Sequence, residues 1–260
     1  MTRKDAEQQE AEQRGAPTGK VIYKAILGEG EDELSRPSSA LFWSGLAAGL
    51  SMGFSMIAEG LLSAYLPDAS WQPLVAKFGY SAGFLIVILG RQQLFTENTL
   101  TPVLPLLQRR SAATLGNVLR LWGVVLVANL LGALVIALVA ARTNAFDPGV
   151  QAAFAEIGHR ALAPGFGTVL LRGVFAGWLI ALMVWLLPFA ETARVWVIIL
   201  VTYLVGLGGF SHIIAGSVET FTLAAMGEAS WLTVLGSYAT PTLIGNVLDD
   251  VRGVLGQLGQ

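Results

Sequence analysis

Residues 206–216 read Gly206-Leu207-Gly208-Gly209-Phe210-Ser211-His212-Ile213-Ile214-Ala215-Gly216, at the centre of an apolar run from about Val195 to Met226. About 20 apolar residues carry a helix across the hydrocarbon core. This run is too long for one plain span, and its middle is crowded with glycine and holds an ionisable side chain. A second over-long run, about Leu74–Leu107, is interrupted by Thr96-Glu97-Asn98-Thr99 and then by Pro102 and Pro105. Backbone that leaves the helix at membrane depth is tolerated only where it faces protein or a water-filled cavity. Interrupted helices in equivalent positions of two halves point to a transport site.

Working outward, further apolar stretches lie at about Ala40–Leu66, Leu115–Ala141, Thr168–Phe189 and Trp231–Leu255. Each broken run is then the second of three spans. Ala128-Asn129-Leu130-Leu131 on the third span is echoed by Gly245-Asn246-Val247-Leu248 on the sixth, where a repeat places it. Halves with an odd number of spans insert in opposite senses, so the repeat is inverted. The expected fold is an all-α membrane protein of six transmembrane helices in two inverted three-helix repeats, with the second and fifth helices broken. Gly45, Gly49 and Gly53, and Gly173 and Gly177, recur every four residues, a spacing that lets backbones pack closely in lipid.

Composition agrees. The 260 residues are 54% hydrophobic and 13% charged, against about 25% charged in soluble domains, and the mean hydropathy is +0.62. A net charge of −2 argues against a nucleic-acid partner. With no cysteine and 2 histidines there is no thiolate site and no histidine-rich metal cluster, so neither metal nor cofactor is expected. Residues 1–38 form a polar tail without the apolar segment of a signal peptide. A short amphipathic helix is expected around Val21–Leu27, with Pro37 closing the tail and no group from it in the pore. Residues 39–256 form the membrane domain and 257–260 a short C-terminal tail. Arg3, Lys4, Arg14, Lys20, Lys24 and Arg36, then Arg109, Arg110 and Arg120, Arg194 and Arg252 alternate with connections holding only Lys77, then Arg142 and Arg160. The positive-inside rule therefore puts both termini in the cytoplasm.

His212 is the leading functional candidate, because ionisable groups inside a span are expensive and mark pathways or relays. Glu97 reads as a loop-fixing acceptor for freed N–H groups, or alternatively as a proton-relay carboxyl. Arg91, just before the break, is expected to bind loop carbonyls, and Glu59 and Glu219 to be interfacial carboxylates or caps. Gly79-Tyr80-Ser81-Ala82-Gly83 matches G-x-S-x-G, but that motif needs a strand-to-helix turn. An intramembrane protease using Ser81 and His212 is therefore the weakest reading.

Three motifs resemble the formate/nitrite transporter family, in a divergent bacterial inner-membrane branch. They are Gly90-Arg91-Gln92-Gln93-Leu94-Phe95-Thr96-Glu97-Asn98-Thr99, Gly209-Phe210-Ser211-His212-Ile213-Ile214-Ala215-Gly216 and Pro241-Thr242-Leu243-Ile244-Gly245-Asn246. The resemblance covers residues 39–256. It implies an aquaporin-like fold, a homopentamer with a pore in each protomer, and a bacterial inner-membrane location. It also implies small monovalent weak-acid anions such as formate, nitrite, lactate or hydrosulfide as solutes. Carried over by motif, His212 is the central histidine and Leu94, Phe95 and Thr96 belong to the loop breaking the second span. Tyr80, Phe84 and Val205 fall at constriction positions. Gln93 stands where the family often has a carboxylate, and Gly216 and Gly177 where asparagines are common. The vestibule lysine has no clear match, with His159 or Arg160 nearest.

A bare charge at the bilayer centre costs at least about 2.5–3.5 kcal/mol, and an inside-negative potential of about 100 mV adds about 2.3 kcal/mol against an anion. Protonation removes both terms. The expected mechanism is protonation of the anion, by way of His212 or a water beside it, and passage as neutral acid, with Thr96 donating a hydrogen bond. The alternatives are a neutral-solute or water channel of the same fold and a non-transport membrane scaffold.

Overall fold

The structure, a computed structural model, describes residues 18–257, with side chains through residue 248. Arg3, Lys4, Arg14, the Arg252 side chain and the end of the C-terminal tail lie outside the described residues. Every regular element among the described residues is helical. We label them α1 (Gly19–Ser35), α2 (Ser38–Tyr65), α3 (Gln72–Leu89), α4 (Val103–Arg109), α5 (Ala112–Arg142), α6 (Pro148–Leu162), α7 (Phe166–Leu186), α8 (Arg194–Leu207), α9 (Ile213–Met226) and α10 (231–257).

Among the described residues, four helical stretches are long and apolar enough to cross a membrane: α2, α3, α5 and Phe166–Phe189, which takes in α7. The fifth span expected from the sequence is two half-helices of 14 residues each, α8 and α9. The second is likewise split, with α3 ending at Gly90 and α4 restarting after Pro102.

The glycine repeats do what their spacing suggests. A Cβ on Gly49 would collide with the Asn129 carbonyl, and one on Gly53 would lie 2.5 Å from Ile136 Cγ2, so α2 lies backbone to backbone on α5. In the second half, a Cβ on Gly177 would sit 2.8 Å from the Asn246 carbonyl oxygen and one on Gly173 3.2 Å from Gly245 Cα, so α7 lies on α10 in the same way. These two tight pairs bracket the two broken segments.

Two features depart from the sequence reading. The third connection is not bare: Pro148 at the first turn starts α6, whose Val150, Phe154 and Ile157 are buried against α2 and α9. The tail helix is longer than Val21–Leu27. It runs to Ser35 and buries Ile26 against Leu100, Val103, Leu104 and Val184. Arg120 pins its end, donating to the carbonyls of Leu34 (2.8 Å) and Arg36 (3.0 Å) and to the Ser38 hydroxyl (3.1 Å).

Candidate functional site

The two breaks meet at the centre of the molecule. On the first, Arg91 takes a left-handed φ of +49° and turns the chain so that Leu94, Phe95 and Thr96 are buried. On the second, Gly209 takes φ +60°, a region open to glycine without penalty, and the chain re-enters helix at His212, the N-cap of α9.

Loose backbone inside a protein must find hydrogen bonds, and each break finds them in one asparagine. Asn129 on α5 donates to the carbonyls of Gly45 (2.7 Å) and Gln93 (2.9 Å), and its Oδ1 accepts from the Phe95 N–H (2.8 Å). Asn246 on α10 donates to the carbonyls of Gly173 (2.8 Å) and Ser211 (2.9 Å), and its Oδ1 accepts from the Ile213 N–H (2.9 Å). The partner sets match one for one: first helix of the half, loop carbonyl, loop N–H two residues on. This is the repeat expressed in hydrogen bonds. It also places His212 at the position that Leu94 holds in the other half.

His212 Nδ1 accepts from the N–H groups of Ile214 (3.3 Å) and Ala215 (3.2 Å), and its Nε2 lies 2.8 Å from Thr96 Oγ1. An accepting Nδ1 leaves the ring proton on Nε2, so this tautomer, assigned from the contacts, donates to Thr96 Oγ1. The threonine hydroxyl proton is left for a third partner. The Phe84 ring meets the imidazole edge-on at 5.0 Å, and Tyr80 lies 5.5 Å from Phe84. Tyr80, Phe84, Leu94, Phe95 and Val205 are all buried. They belong to one apolar cluster, in which Phe84 is the ring that meets His212.

A cavity opens toward each face. The one on the α1 side, about 830 Å³, is lined by Lys24, Arg36, Arg91 and Arg194 and by Glu29, Asp32, Glu33 and Glu97, among others. The tail helix therefore forms part of this cavity's wall. Glu33 accepts from the Thr101 hydroxyl at 2.6 Å, and burial pushes its carboxyl up to about 7. The Asn98 amide sits between Gln93 and Glu33. Turned one way it donates to Gln93 Oε1 (2.6 Å), and turned the other to the Glu33 carboxylate (3.0 and 3.1 Å). Arg91 faces this cavity and makes no side-chain hydrogen bond among the described residues, so it does not bind the loop carbonyls as expected. Glu97 also lines the cavity and fixes no loop N–H. Its loop is held by Asn129 and by Trp122 Nε1, which donates to the Asn98 carbonyl at 2.8 Å.

The cavity on the α6 side, about 510 Å³, is lined by Lys77, Arg160, Arg172 and Glu219, with Tyr80, Val205, Gly209, Ser211 and Tyr238. Glu59 caps no helix among the described residues. It is buried and paired with Lys77 (2.6 Å) and Arg160 (3.5 Å). Glu219, also buried, faces the cavity. Of the two candidates for the vestibule cation, Arg160 lines the cavity, whereas His159 pairs with Glu228 at 2.6 Å. Arg172 was not singled out by sequence. It lies on α7, and only the fold shows that its guanidinium comes beside Gly209. Ser81 accepts from the Thr202 hydroxyl at 2.8 Å while His212 engages Thr96, so the nucleophile–base pair of a protease is not formed.

The geometry defines a class: a helical protein with helices long and apolar enough to cross a membrane, two broken helices that touch through the buried His212–Thr96 contact, and a charged cavity to either side of it. A family profile described as formate/nitrite transporter matches residues 20–249, and the chain belongs to that family. It is 42% identical over 227 residues to the inner membrane protein YfdC of Escherichia coli, covering 87% of this chain and 73% of that one. It is 26% identical over 253 residues to a formate-nitrite transporter of Plasmodium vivax, covering 90% and 80%. Two solved structures share the fold. One, titled a pentameric formate channel with formate bound, has a TM-score of 0.72 at 20% identity, covering 85% of this chain and 96% of that one. The other, an FNT family ion channel, has a TM-score of 0.77 at 20% identity, covering 92% and 97%.

Proposed function

We propose that each protomer is a pore for small monovalent weak acids of the formate or nitrite kind, crossing in neutral form through the His212–Thr96 step. The observation that carries this is that step itself: a buried histidine Nε2–H on a buried threonine hydroxyl at 2.8 Å, with the Phe84 ring edge-on to the imidazole. Apolar walls disfavour a bare anion, while the spare threonine proton suits an oxygen acceptor. Because Nδ1 is occupied by two backbone N–H groups, a proton placed there would displace both. The acid therefore takes its proton from vestibule water, and His212 serves as a neutral donor rather than as the shuttle.

Arg172 and Arg160 on the α6 side and Arg91 and Arg194 on the α1 side draw anions into the vestibules. The assembly in this reading is a homopentamer in the bacterial inner membrane, with the arginine-rich α1 face and both termini cytoplasmic. Trp43, Trp178, Trp196 and Leu200, exposed on the single chain, supply the flanks for lipid and for neighbouring copies. The test is uptake of labelled formate and nitrite into liposomes carrying a lumenal pH dye. Uptake that rises as external pH falls and acidifies the lumen supports the reading. Uptake of water or glycerol without any acid flux would favour the neutral-solute channel.

A further inference from the structure

One wall of the α6-side cavity comes from a helix with widened turns. Pro241 has no N–H to offer the residue 237 carbonyl, and its ring crowds that group. The turns before it, Val234–Ala239, run as a π-helix, a device found frequently at functional sites. Thr240 donates to the Leu235 carbonyl twice, with its backbone N–H and with its Oγ1 at 2.8 Å. The widened turn carries Tyr238 inward, where it is 3% exposed yet still lines the cavity.

Gly216, in the first turn of α9, makes the room. A Cβ there would overlap the Tyr238 hydroxyl and come within 2.8 Å of its Cε1. The phenolic oxygen thus occupies the space that a side chain at 216 would fill, against the segment that holds His212. Its acceptor there is the His212 carbonyl at 3.5 Å, the long limit of a hydrogen bond. Beside it lie the hydroxyls of Ser211 and Thr242. Thr242 is fully buried and its hydroxyl faces the phenol. Buried hydroxyls ordinarily have partners at full hydrogen-bond strength, and the long contact of the phenol to the His212 carbonyl leaves its proton available next to the cavity and the central histidine. Of the cations of the same wall, Lys77 and Arg160 are tied to Glu59, whereas Arg172 stands beside Gly209 on the cavity side.

We propose that Tyr238 is a specificity-determining residue, whose hydroxyl donates a hydrogen bond to an oxygen of a small oxyacid passing between the α6-side cavity and His212. It thereby favours oxyacids over hydrosulfide, whose sulfur is a weak acceptor. This rests on the transport reading above.

The experiment measures formate and hydrosulfide uptake in the same liposome preparation for the parent and for Tyr238→Phe, with thermal unfolding of both. Phenylalanine keeps the ring and removes one oxygen. Formate uptake is expected to fall about fivefold, the worth of one neutral hydrogen bond, with hydrosulfide uptake changed less than about twofold and the assembly melting as before. Gly216→Ala, which pushes the phenol aside, is expected to lower the formate-to-hydrosulfide ratio in the same sense. An unchanged ratio in Tyr238→Phe would overturn the proposal. So would loss of the folded assembly on removing the hydroxyl, which would make it a structural tie. A parent impermeable to both solutes would overturn the transport reading itself.

Discussion

Replacing Asn246 by alanine removes three buried hydrogen bonds at once and orphans the Ser211 carbonyl and the Ile213 N–H, while the Gly173 carbonyl, inside α7, keeps its helical partner. Interhelical hydrogen bonds in membrane proteins average about 0.6 kcal/mol by double-mutant cycles, which sets a floor of about 2 kcal/mol for three. A buried group left without a partner costs about 1–3 kcal/mol, which for two such groups sets a ceiling of about 6 kcal/mol. Because the amide sits where α7, α10 and the second break meet, water has little access to repair the loss. A destabilisation of about 3–5 kcal/mol is expected. Asn129→Ala removes the matching three bonds and orphans the matching two loop groups, the Gln93 carbonyl and the Phe95 N–H, and is expected to cost the same within about 1 kcal/mol. Asn246→Asp is expected to be worse than alanine, since it turns a carboxylate onto two carbonyls. Reversible unfolding in mixed detergent micelles measures all three. A cost under about 1 kcal/mol for either alanine variant, or a large difference between the two, would refute the matched-clamp reasoning.

Three further outcomes follow from the packing and the charges. Gly49→Leu drives a side chain into the Asn129 backbone and is expected to abolish folded, assembled protein on size-exclusion chromatography. Lys77→Met leaves the buried Glu59 with Arg160 alone at 3.5 Å and is expected to cost about 3 kcal/mol, with Glu59→Gln in the same chain recovering most of it in the melting temperature. The Glu33 carboxyl, pushed up to about 7 by burial from an ordinary 4.5, binds its proton more tightly docked than free. Docking of α1 is therefore firmest below about pH 4.5 and weakens as pH rises through about 7. Tryptic cleavage at Lys20 and Lys24 is expected to quicken over that range, and Glu33→Gln to flatten the dependence.

Much of the architecture is written locally. The glycine spacing on α2 and α7, the polar break after Leu94 and the paired asparagines are short-range signals, and each one has a direct counterpart in the packing. What the sequence conceals is what distant segments bring together. Arg172 stands inside an apolar run where nothing nearby marks it, and it matters only because α7 passes Gly209. Lys77, Glu59 and Arg160 come from three separate elements, so no spacing announces their cluster. Residues 143–165 read as a long connection because the apolar face of α6 is only Val150, Phe154 and Ile157 wide. The tail misled for a related reason: its acidic run looks solvated, yet Ile26 and Leu34 on the opposite face dock it over the vestibule. His212 was legible as the central residue, but its role was not, since only the contacts to Ile214 and Ala215 show which ring nitrogen holds the proton.

The most direct test is the number of protons entering per formate, read from labelled uptake and lumenal pH together, in the parent and in His212→Asn. A pore for the neutral acid, with His212 as a hydrogen-bond donor, gives one proton per formate in both proteins, with the variant slowed about tenfold by the disturbed step. Formate entering the parent without acidification would contradict the neutral-acid pore, and coupling lost in His212→Asn while formate still crosses would show the histidine to be the proton carrier after all.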